Sequence, residues 1–435
     1  MASAIACKGQ ERSIQTDPTS GSLRSRPGAV WHITMKGVPS LFVCASSHTM
    51  STRLHALHAA GQSLWLDYID RTMLSNGDLS RRIRDDALTG QTSNPTIFEK
   101  ALAEGDAYDA QLATVESARS DREAFELVAT TDVRAACDAF RGVYDRTDAI
   151  DGYVSLEVSP DLARDTAGTV AEAQRLWQIV DRPNLMIKVP GTPEGAEAIR
   201  RLIADGINVN VTLLFAVDAH ARVIEAFLAG LEDRAAAGKP VARIASVASF
   251  FISRVDSAID AQLSAMAAAD PASAEALHAL QGRAAIANAK LAYRLFTASF
   301  SGARWAALAA QGAQVQRPLW ASTSTKNAAY RDVLYVEELI GANTVNTLPP
   351  ATLEAFRDHG EVRPSVTENA ADAERVLAAL ESHGVSLQSV TDRLLAEGLA
   401  SFEHSFVTLL AGLHRKRAAL ASSASSTGAP AVVSL

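Results

Sequence analysis

Residues 185–191 read Leu-Met-Ile-Lys-Val-Pro-Gly, an apolar stretch that contains a single lysine, Lys188. Lysine is almost never buried unless it is paired, and burial disfavours the charged form of its amine. A neutral amine is a nucleophile, so Lys188 is a candidate catalytic residue. The alternative interpretation is a surface lysine at the end of a strand.

The residues that follow this stretch have the pattern of a strand–helix–strand unit. Thr192 is a candidate N-cap, Pro193 suits the first helical position, and Gly206 is a stop signal. Between them an apolar helical face is formed by Ala196, Ile199, Leu202 and Ile203. A second strand pattern covers residues 209–214. Lys188 is therefore expected near the carboxyl end of one of two parallel strands, where catalytic groups of βα barrels collect.

The same alternation of strand and helix patterns extends over most of the chain. Strand patterns occur at residues 63–68, 90–93, 153–158, 185–189, 209–214, 243–250, 318–321 and 344–348. Helix patterns that separate them include residues 121–144, 163–179, 219–237 and 284–299. Eight strands with intervening helices predict an α/β fold, a closed (β/α)₈ TIM barrel, although doubly wound sheets share the alternation. No GxGxxG or P-loop motif indicates a nucleotide-phosphate site.

Composition excludes several classes of protein. The chain has 435 residues, of which 48% are hydrophobic and 21% charged, as in an ordinary globular protein. Its formal net charge of −8 argues against a nucleic-acid or anionic-membrane binder, and no stretch is apolar enough to span a membrane. Cys7, Cys44 and Cys137 are widely spaced, so neither a disulfide framework nor a zinc site is indicated, and a reducing, cytoplasmic location is expected.

The two ends of the chain differ from its centre. Residues 1–50 combine scattered basic residues with many Ser, Thr and Gly, and are expected to be a disordered or mis-annotated extension, with a transit peptide as the alternative. Met50 stands just before the first helical pattern. Residues 51–418 are predicted to form a single barrel domain with extra helices, and residues 419–435 a flexible tail rich in Ser and Ala.

Polar residues fall at the ends of the predicted strands. They are Asp67, Thr92, Asn94, Glu157, Lys188, Asn210, Thr212, Ser249 and Arg254. Each alone has an ordinary explanation as a cap, a turn or a solvated edge residue. A barrel, however, would bring them together at one mouth. A lysine with two carboxylates and several amide or hydroxyl groups could perform carbonyl chemistry through an imine.

Four motifs in order resemble the transaldolase family, over about residues 60 to 360. They are Gly-Gln-Thr-Ser-Asn-Pro-Thr-Ile-Phe at 90–98, the lysine stretch at 185–195, Asn-Val-Asn-Val-Thr-Leu-Leu-Phe at 208–215, and Ser-Phe-Phe-Ile-Ser-Arg at 249–254. The sequences of these motifs are similar to those of the longer bacterial subfamily found in actinobacteria and cyanobacteria. The resemblance implies a TIM barrel of the class I, Schiff-base aldolase type, and no metal or organic cofactor.

The resemblance also implies catalytic roles. Lys188 would form a Schiff base with the C2 ketone of sedoheptulose 7-phosphate or fructose 6-phosphate. Asp67 would act at the C4 hydroxyl, whose deprotonation breaks the C3–C4 bond. Glu157, with Thr212 and a water molecule, would move protons while the carbinolamine forms and dehydrates. The acceptor aldehyde would be glyceraldehyde 3-phosphate or erythrose 4-phosphate.

The remaining site residues would bind the sugar phosphate. Asn94 and Asn210 would hold hydroxyls of the dihydroxyacetone unit, with Thr92 and Ser249 as neighbours. Arg254 would hold the phosphate, since a guanidinium donates two hydrogen bonds to it. After the seventh strand, Ser322 and Lys326 occupy the region where the family often has an arginine. A lysine ammonium is a point charge and lacks the two parallel N–H donors of a guanidinium, so the second phosphate contact departs from the family pattern. The alternative is that Lys326 simply faces solvent.

Two other functions remain open from the sequence. A fructose 6-phosphate aldolase would release free dihydroxyacetone, but that group has a tyrosine where this chain has Phe251, which cannot transfer a proton. A non-catalytic sugar-phosphate-binding barrel is the second alternative, since fold alone does not determine function. The oligomeric expectation is a monomer or a homodimer.

Overall fold

The computed structural model describes residues 52–103, 105–115 and 119–427, with side chains as far as residue 422. The predicted N-terminal extension at 1–50 and the end of the predicted tail at 428–435 lie outside the described residues. Eight parallel strands close into a barrel in chain order. They are β1 (Gln62–Asp67), β2 (Leu88–Thr92), β3 (Val154–Glu157), β4 (Leu185–Pro190), β5 (Val209–Leu214), β6 (Ser246–Phe251), β7 (Gln316–Ala321) and β8 (Thr344–Leu348).

Helices connect the strands and surround the barrel, which confirms the predicted (β/α)₈ architecture. The helices that precede β7 are α1 (Arg53–Ala59), α2 (Arg71–Ser75), α3 (Asp78–Asp85), α4 (Pro95–Ala103), α5 (Asp109–Ala113), α6 (Asp121–Arg146), α7 (Thr166–Val180), α8 (Pro193–Asp205), α9 (Val217–Ala236), α10 (Ser253–Ala269), α11 (Ala274–His278), α12 (Ala284–Ser299) and α13 (Gly302–Ala309). After β7 come α14 (Leu334–Glu337), α15 (Pro350–His359), α16 (Ala370–Ser382) and α17 (Leu387–Thr427). Short 3₁₀ helices cover Pro160–Leu162 and Ser365–Thr367.

The unit formed by β4 and α8 follows the sequence pattern closely. The Thr192 side chain accepts a hydrogen bond from the backbone N–H of Gly195, and Pro193 is the first helical residue. Gly206 ends α8 with a φ of 93°, a left-handed conformation that few other residues adopt without strain. Because the apolar face of α8 is buried against the barrel, this unit holds Lys188 on a rigid strand.

The amino-terminal end of the barrel is filled by a large indole and a buried polar network. A Cβ at Gly90 would lie 2.5 Å from the Trp65 ring, so glycine on β2 leaves room for this side chain. Trp65 donates to the Asp151 carboxylate at 2.7 Å, and Arg317 donates to Ser63 Oγ at 2.7 Å. Buried polar groups that are paired in this way hold the strands in register, and the predicted site residues lie toward the opposite, carboxyl end of the strands.

Some predicted boundaries are wrong. The sixth strand begins at Ser246 and not at residue 243, because Arg243 has a left-handed φ of 64° and belongs to a turn. The seventh strand begins earlier than predicted, at Gln316, whose polar side chain is buried and donates to Ser246 Oγ at 2.9 Å. A polar residue paired across the sheet continues a strand although it interrupts the apolar pattern.

The last helix extends into the segment that was predicted to be a flexible tail. α17 contains 41 residues and continues through residues 419–427, which the sequence assigned to a flexible tail, and Leu420 packs against the core. None of the described helices combines the length and apolar character needed to cross a membrane. The third cysteine, Cys137, is a buried free thiol of α6, and burial raises its pKa, while Cys7 and Cys44 lie outside the described residues.

Candidate active site

The carboxyl ends of the strands open into a cavity of about 170 Å³. The predicted site residues that line it are Asp67, Thr92, Asn94, Lys188, Thr212, Ser249, Phe251, Arg254, Ser322 and Lys326. Two predicted residues do not line the cavity but contact residues that do. Glu157 contacts Lys188, and Asn210 contacts Ser249. The structure thus brings every predicted site residue to one mouth, because successive parallel strands end at the same edge of a barrel.

Lys188 lies on β4 at the centre of this group and is only 5% exposed. Its Nζ is 3.3 Å from the Glu157 carboxylate and donates to the carbonyl oxygen of Ser93, also at 3.3 Å. The pairing of the strands explains the first contact, since Lys188 stands in register with Glu157 on β3 and with Asn210 on β5. A buried lysine is tolerated when it is paired in this way.

The two carboxylates are both deprived of water. Burial raises the pKa of Asp67, an effect that the nearby Lys188 cation and the Thr92 hydroxyl oppose. Burial likewise raises the pKa of Glu157, with Lys188 again opposing the change and Asp67 adding to it. A carboxyl group with a raised pKa exchanges protons more readily near neutral pH, which is what a general acid or base requires.

Asp67 and Glu157 differ in their surroundings. Thr92 Oγ1 donates to Asp67 at 2.7 Å and contacts Thr347 Oγ1 at 2.7 Å, so the Asp67 carboxylate is oriented within the main cavity. Glu157 borders a second, smaller cavity of about 40 Å³, which is also lined by Arg122 and Glu172. Lys188 therefore has one carboxylate in the main cavity and one at the wall of the smaller cavity.

Amide and hydroxyl groups of β3, β5 and β6 form a fixed row below the cavity. Asn210 donates to Ser155 Oγ at 2.9 Å and accepts from Ser249 Oγ at 2.7 Å. These two bonds fix the orientation of the Asn210 amide. Thr212 Oγ1, two residues further along β5, is buried and has no hydrogen-bond partner within the described residues. An unpartnered hydroxyl that faces a cavity is available to a water molecule or a substrate hydroxyl.

Asn94 has a structural role in addition to its place in the cavity wall. Its side-chain oxygen accepts from the backbone N–H of Ile97 at 3.0 Å and so caps the start of α4. Pro95 is the first residue of that helix. Asn94 is therefore a cap, one of the ordinary roles expected of a polar residue at a strand end, and it also lines the cavity.

The cationic side of the cavity begins at α10. Arg254 is the second residue of α10, and its guanidinium lies 5.5 Å from the centre of the Phe251 ring. Phe251 in turn packs on Phe215, with ring centres 5.1 Å apart. Burial lowers the pKa of Arg254, an effect that the charge of Glu397 opposes. A largely buried guanidinium at a cavity wall is suited to an anionic ligand.

Ser322 and Lys326 follow β7 on the same side. Ser322 has a φ of 56°, and its hydroxyl lies 3.0 Å from that of Ser253, the first residue of α10. Lys326 is exposed and donates to Ser324 Oγ at 2.8 Å while lining the cavity. Lys326 therefore faces solvent, as the alternative interpretation expected, and it also places a positive charge at the mouth of the barrel.

Five further lining residues were not predicted. They are Ala321, Ser324, Thr347, Pro349 and Phe402. Thr347 is a polar residue near the carboxyl end of β8, and the rule that such residues collect at one mouth of a barrel could have found it. Phe402 belongs to α17, far beyond the last strand, and no local pattern connects it with the site.

The described residues contain no group of three or more His, Cys, Asp or Glu side chains that could hold a metal ion. His55 and His58 lie on α1, and the His55 ring contacts the Thr52 hydroxyl at 2.9 Å. The chemistry available to the site from its own side chains is that of an amine, two carboxyl groups and several hydrogen-bonding groups.

Residues 64–413 match the family described as Transaldolase/Fructose-6-phosphate aldolase. The chain is 49% identical to the transaldolase of Frankia alni over 363 residues, which are 83% of this chain and 96% of the relative. It is 50% identical to the transaldolase of Thermobifida fusca over 363 residues, 83% of this chain and 97% of the relative. The transaldolase of Trichodesmium erythraeum is 45% identical over 372 residues, 84% of this chain and 98% of the relative.

Proposed function

This chain belongs to the transaldolase/fructose-6-phosphate aldolase family, and we propose that it transfers a dihydroxyacetone unit between sugar phosphates through an imine on Lys188. The donor is sedoheptulose 7-phosphate and the acceptor glyceraldehyde 3-phosphate, which gives erythrose 4-phosphate and fructose 6-phosphate in a reversible reaction. The observation that carries the proposal is the buried Lys188 amine, 3.3 Å from Glu157, at the carboxyl end of a barrel strand.

Lys188 attacks the C2 carbonyl of the donor and forms a carbinolamine. Glu157 accepts a proton from the amine and donates one to the departing hydroxyl, so that water leaves and a positively charged iminium remains. The contact of 3.3 Å between Lys188 Nζ and Glu157 supports this role, as does the raised pKa of Glu157. Thr212, whose hydroxyl lacks a partner among the described residues, holds the water molecule that takes part in the exchange.

Asp67 removes the proton from the C4 hydroxyl of the bound donor. The C3–C4 bond then breaks, its electron pair moves toward the iminium, and the first aldehyde product leaves behind an enamine on Lys188. The hydrogen bond of 2.7 Å from Thr92 orients the Asp67 carboxylate for this step. In the second half of the reaction the enamine carbon attacks the acceptor aldehyde, and Asp67 returns its proton to the new hydroxyl.

The hydroxyl groups of the dihydroxyacetone unit bind to the amides of Asn94 and Asn210 and to the hydroxyl of Ser249. Asn210 is already fixed by Ser155 and Ser249, which is consistent with a prearranged binding site. The phosphate binds to the cationic side of the cavity, which is formed by Arg254, Ser322 and Lys326. Local cations are necessary, because the whole chain has a formal charge of −8.

The transfer reaction is favoured over free aldol cleavage. Phe251 lines the cavity without any exchangeable proton, so it leaves the enamine unprotonated until an aldehyde arrives. The relatives that match along nearly their whole length are named transaldolases. A non-catalytic sugar-phosphate-binding barrel would have no need for a buried lysine flanked by two carboxylates. We further propose a cytoplasmic location and a monomeric or homodimeric enzyme.

The proposal is tested by reduction with borohydride in the presence of fructose 6-phosphate, followed by peptide mapping. The dihydroxyacetone adduct is expected on Lys188, and Lys188→Met is expected to abolish both labelling and transfer while the protein stays folded. Lys290→Met is the matched control, because Lys290 is also buried, at 7% exposure, but lies on α12 outside the cavity. A label on any other lysine, or transfer by Lys188→Met, would contradict the proposal.

A further inference from the structure

The long helix α17 reaches the mouth of the barrel and contributes an aromatic ring to the cavity. Phe402 lines the cavity, is 6% exposed, and has its ring centre 5.8 Å from Lys188 Nζ. This separation lies within the distance at which a cation is attracted to the face of an aromatic ring. The charged groups that face Lys188 from the strands are Glu157 on β3 and Asp67 on β1.

The position of the ring is determined by close packing on both sides of it. One turn before Phe402, a Cβ at Gly398 would lie 3.0 Å from a methyl group of Leu213 and 3.8 Å from the Arg254 guanidinium. Glycine thus lets α17 approach β5 closely. Leu213 has a left-handed φ of 58° at an irregularity in the pairing of β5 with β6.

On the other side of Phe402, two contacts hold α17 against α4 and α6. Thr96 Oγ1 donates to Ser405 Oγ at 2.9 Å. Phe406 packs edge-on against Phe125, with ring centres 5.7 Å apart. Because the helix is held before and after Phe402, its ring is preorganised over the lysine and does not have to be ordered during the reaction.

We propose that Phe402 stabilises the positive charge on the Lys188 nitrogen while the iminium is present. The inference rests on the proposed imine mechanism. When the carbinolamine loses water, its C–O bond breaks and the charge stays on the nitrogen, which lies near the ring. When the C3–C4 bond breaks, the electron pair moves toward this nitrogen and the charge disappears. The ring therefore raises the population of the iminium, the intermediate from which cleavage occurs.

The alternative is that Phe402 only packs α17 against the barrel. Three variants separate the two roles. Phe402→Leu keeps an apolar side chain but removes the aromatic face, Phe402→Tyr keeps the face, and Phe406→Leu removes a ring from the same helix one turn further along the chain. Phe402→Met, which is also without a ring, replaces Phe402→Leu if that variant does not fold.

The measurements are the rate of borohydride labelling with saturating fructose 6-phosphate, together with kcat and KM for transfer. Phe402→Leu is expected to lower the labelling rate and kcat roughly three- to tenfold, with little change in KM. Phe402→Tyr is expected to restore both to near the wild-type values. Phe406→Leu is expected to lower the melting temperature and to lower both rates less than Phe402→Leu does, because the Thr96–Ser405 hydrogen bond and the close approach at Gly398 still hold the helix.

Phe402 would be only a packing residue if Phe402→Leu and Phe406→Leu lowered the labelling rate equally. The same conclusion would follow if Phe402→Tyr lowered the labelling rate and kcat as much as Phe402→Leu does. An unlabelled wild-type protein would contradict the Lys188 imine itself and the role of Phe402 with it. If the wild-type protein is labelled and Phe402→Leu has the same labelling rate and kcat, only the role of Phe402 is contradicted.

Discussion

Individual residues of this site provide reactivity at a cost in folding stability. They are Lys188, Asp67 and Glu157. The side chains of Lys188 and Glu157 are buried, Asp67 lines the cavity beside them, and burial raises the pKa of both carboxyl groups. Removing a charge from water costs free energy that pairing compensates only in part. The site therefore reduces the stability of the folded barrel in exchange for chemical function.

This opposition predicts two effects of Asp67→Asn. Transfer should fall by about two to four orders of magnitude, since the general base is lost. Because the folded-state pKa of Asp67 lies above its ordinary value of 3.8, ionisation disfavours the folded protein increasingly as the pH rises from that value through the raised pKa. The variant should thus melt at a higher temperature than wild type at pH 8, and the gain should shrink toward pH 4.

Thermal unfolding of both proteins at the two pH values, together with a transfer assay, measures these effects. A gain in melting temperature that is equal at pH 8 and pH 4 would mean that the ionisation of Asp67 has no part in it. A variant with wild-type transfer would remove Asp67 from the mechanism.

At the scale of elements, the junction of β4 and α8 has no room for a larger side chain at Gly195. A Cβ at Gly195 would lie 2.0 Å from the carbonyl oxygen of Pro190, two residues beyond Lys188, and 3.0 Å from Thr192 Oγ1. The first contact is with backbone, which cannot rotate away. The start of α8 and the end of β4 therefore depend on a glycine in the first turn of the helix.

Gly195→Ala should destabilise the protein by about 2 kcal/mol or more, because backbone must move to accept the methyl group. The displacement includes the end of β4, so the rate of imine formation by Lys188 should also fall. Urea unfolding and borohydride labelling provide the measurements. The control is Glu197→Ala at an exposed position of α8, which should change stability by no more than about 0.5 kcal/mol. Unchanged stability of Gly195→Ala would contradict the close approach.

For the whole molecule, the question is how much of the chain the activity needs. The Frankia alni relative matches 363 residues of this chain and 96% of its own length, so nearly all of an enzyme of this family fits within 83% of the chain. The first described helix, α1, begins at Arg53, three residues after Met50. Residues 1–49 have the composition of a segment that does not form a core.

A protein that begins at Met50 should keep the kcat, the KM and the melting temperature of the full chain, because the cavity and α17 are intact in it. Side-by-side transfer assays and thermal unfolding of the two proteins measure this. As a contrast, a protein that ends at residue 400 lacks Phe402 and should lose activity. A fall in either activity or melting temperature for the protein that begins at Met50 would show that the first 49 residues contribute to the barrel.

Local sequence pattern predicted the alternation of strands and helices and the polar residues at the strand ends, but it left a doubly wound sheet open beside the closed barrel. Strand and helix periods depend on neighbouring residues, so the β4–α8 unit with its Thr192 cap and Gly206 stop could be predicted without the structure. Parallel strands of a barrel end at one face, and polar residues at strand ends, such as Asp67 and Lys188, could for that reason be assigned to one mouth.

Which side chains meet at that mouth could be seen only in the folded chain, because such contacts depend on packing between distant segments. The fold placed Glu157 at the wall of the smaller cavity, behind Lys188, and it packed Phe251 against Phe215. Neither arrangement follows from the spacing of these residues along the chain.

The contact between Phe402 and Lys188 shows the same limit most clearly. The two residues belong to the last helix and to the fourth strand, and the ring centre lies 5.8 Å from Nζ. No periodicity within α17 could reveal this contact. It exists because the missing side chain at Gly398 lets the helix approach β5, a fit between two surfaces that are assembled only when the barrel closes.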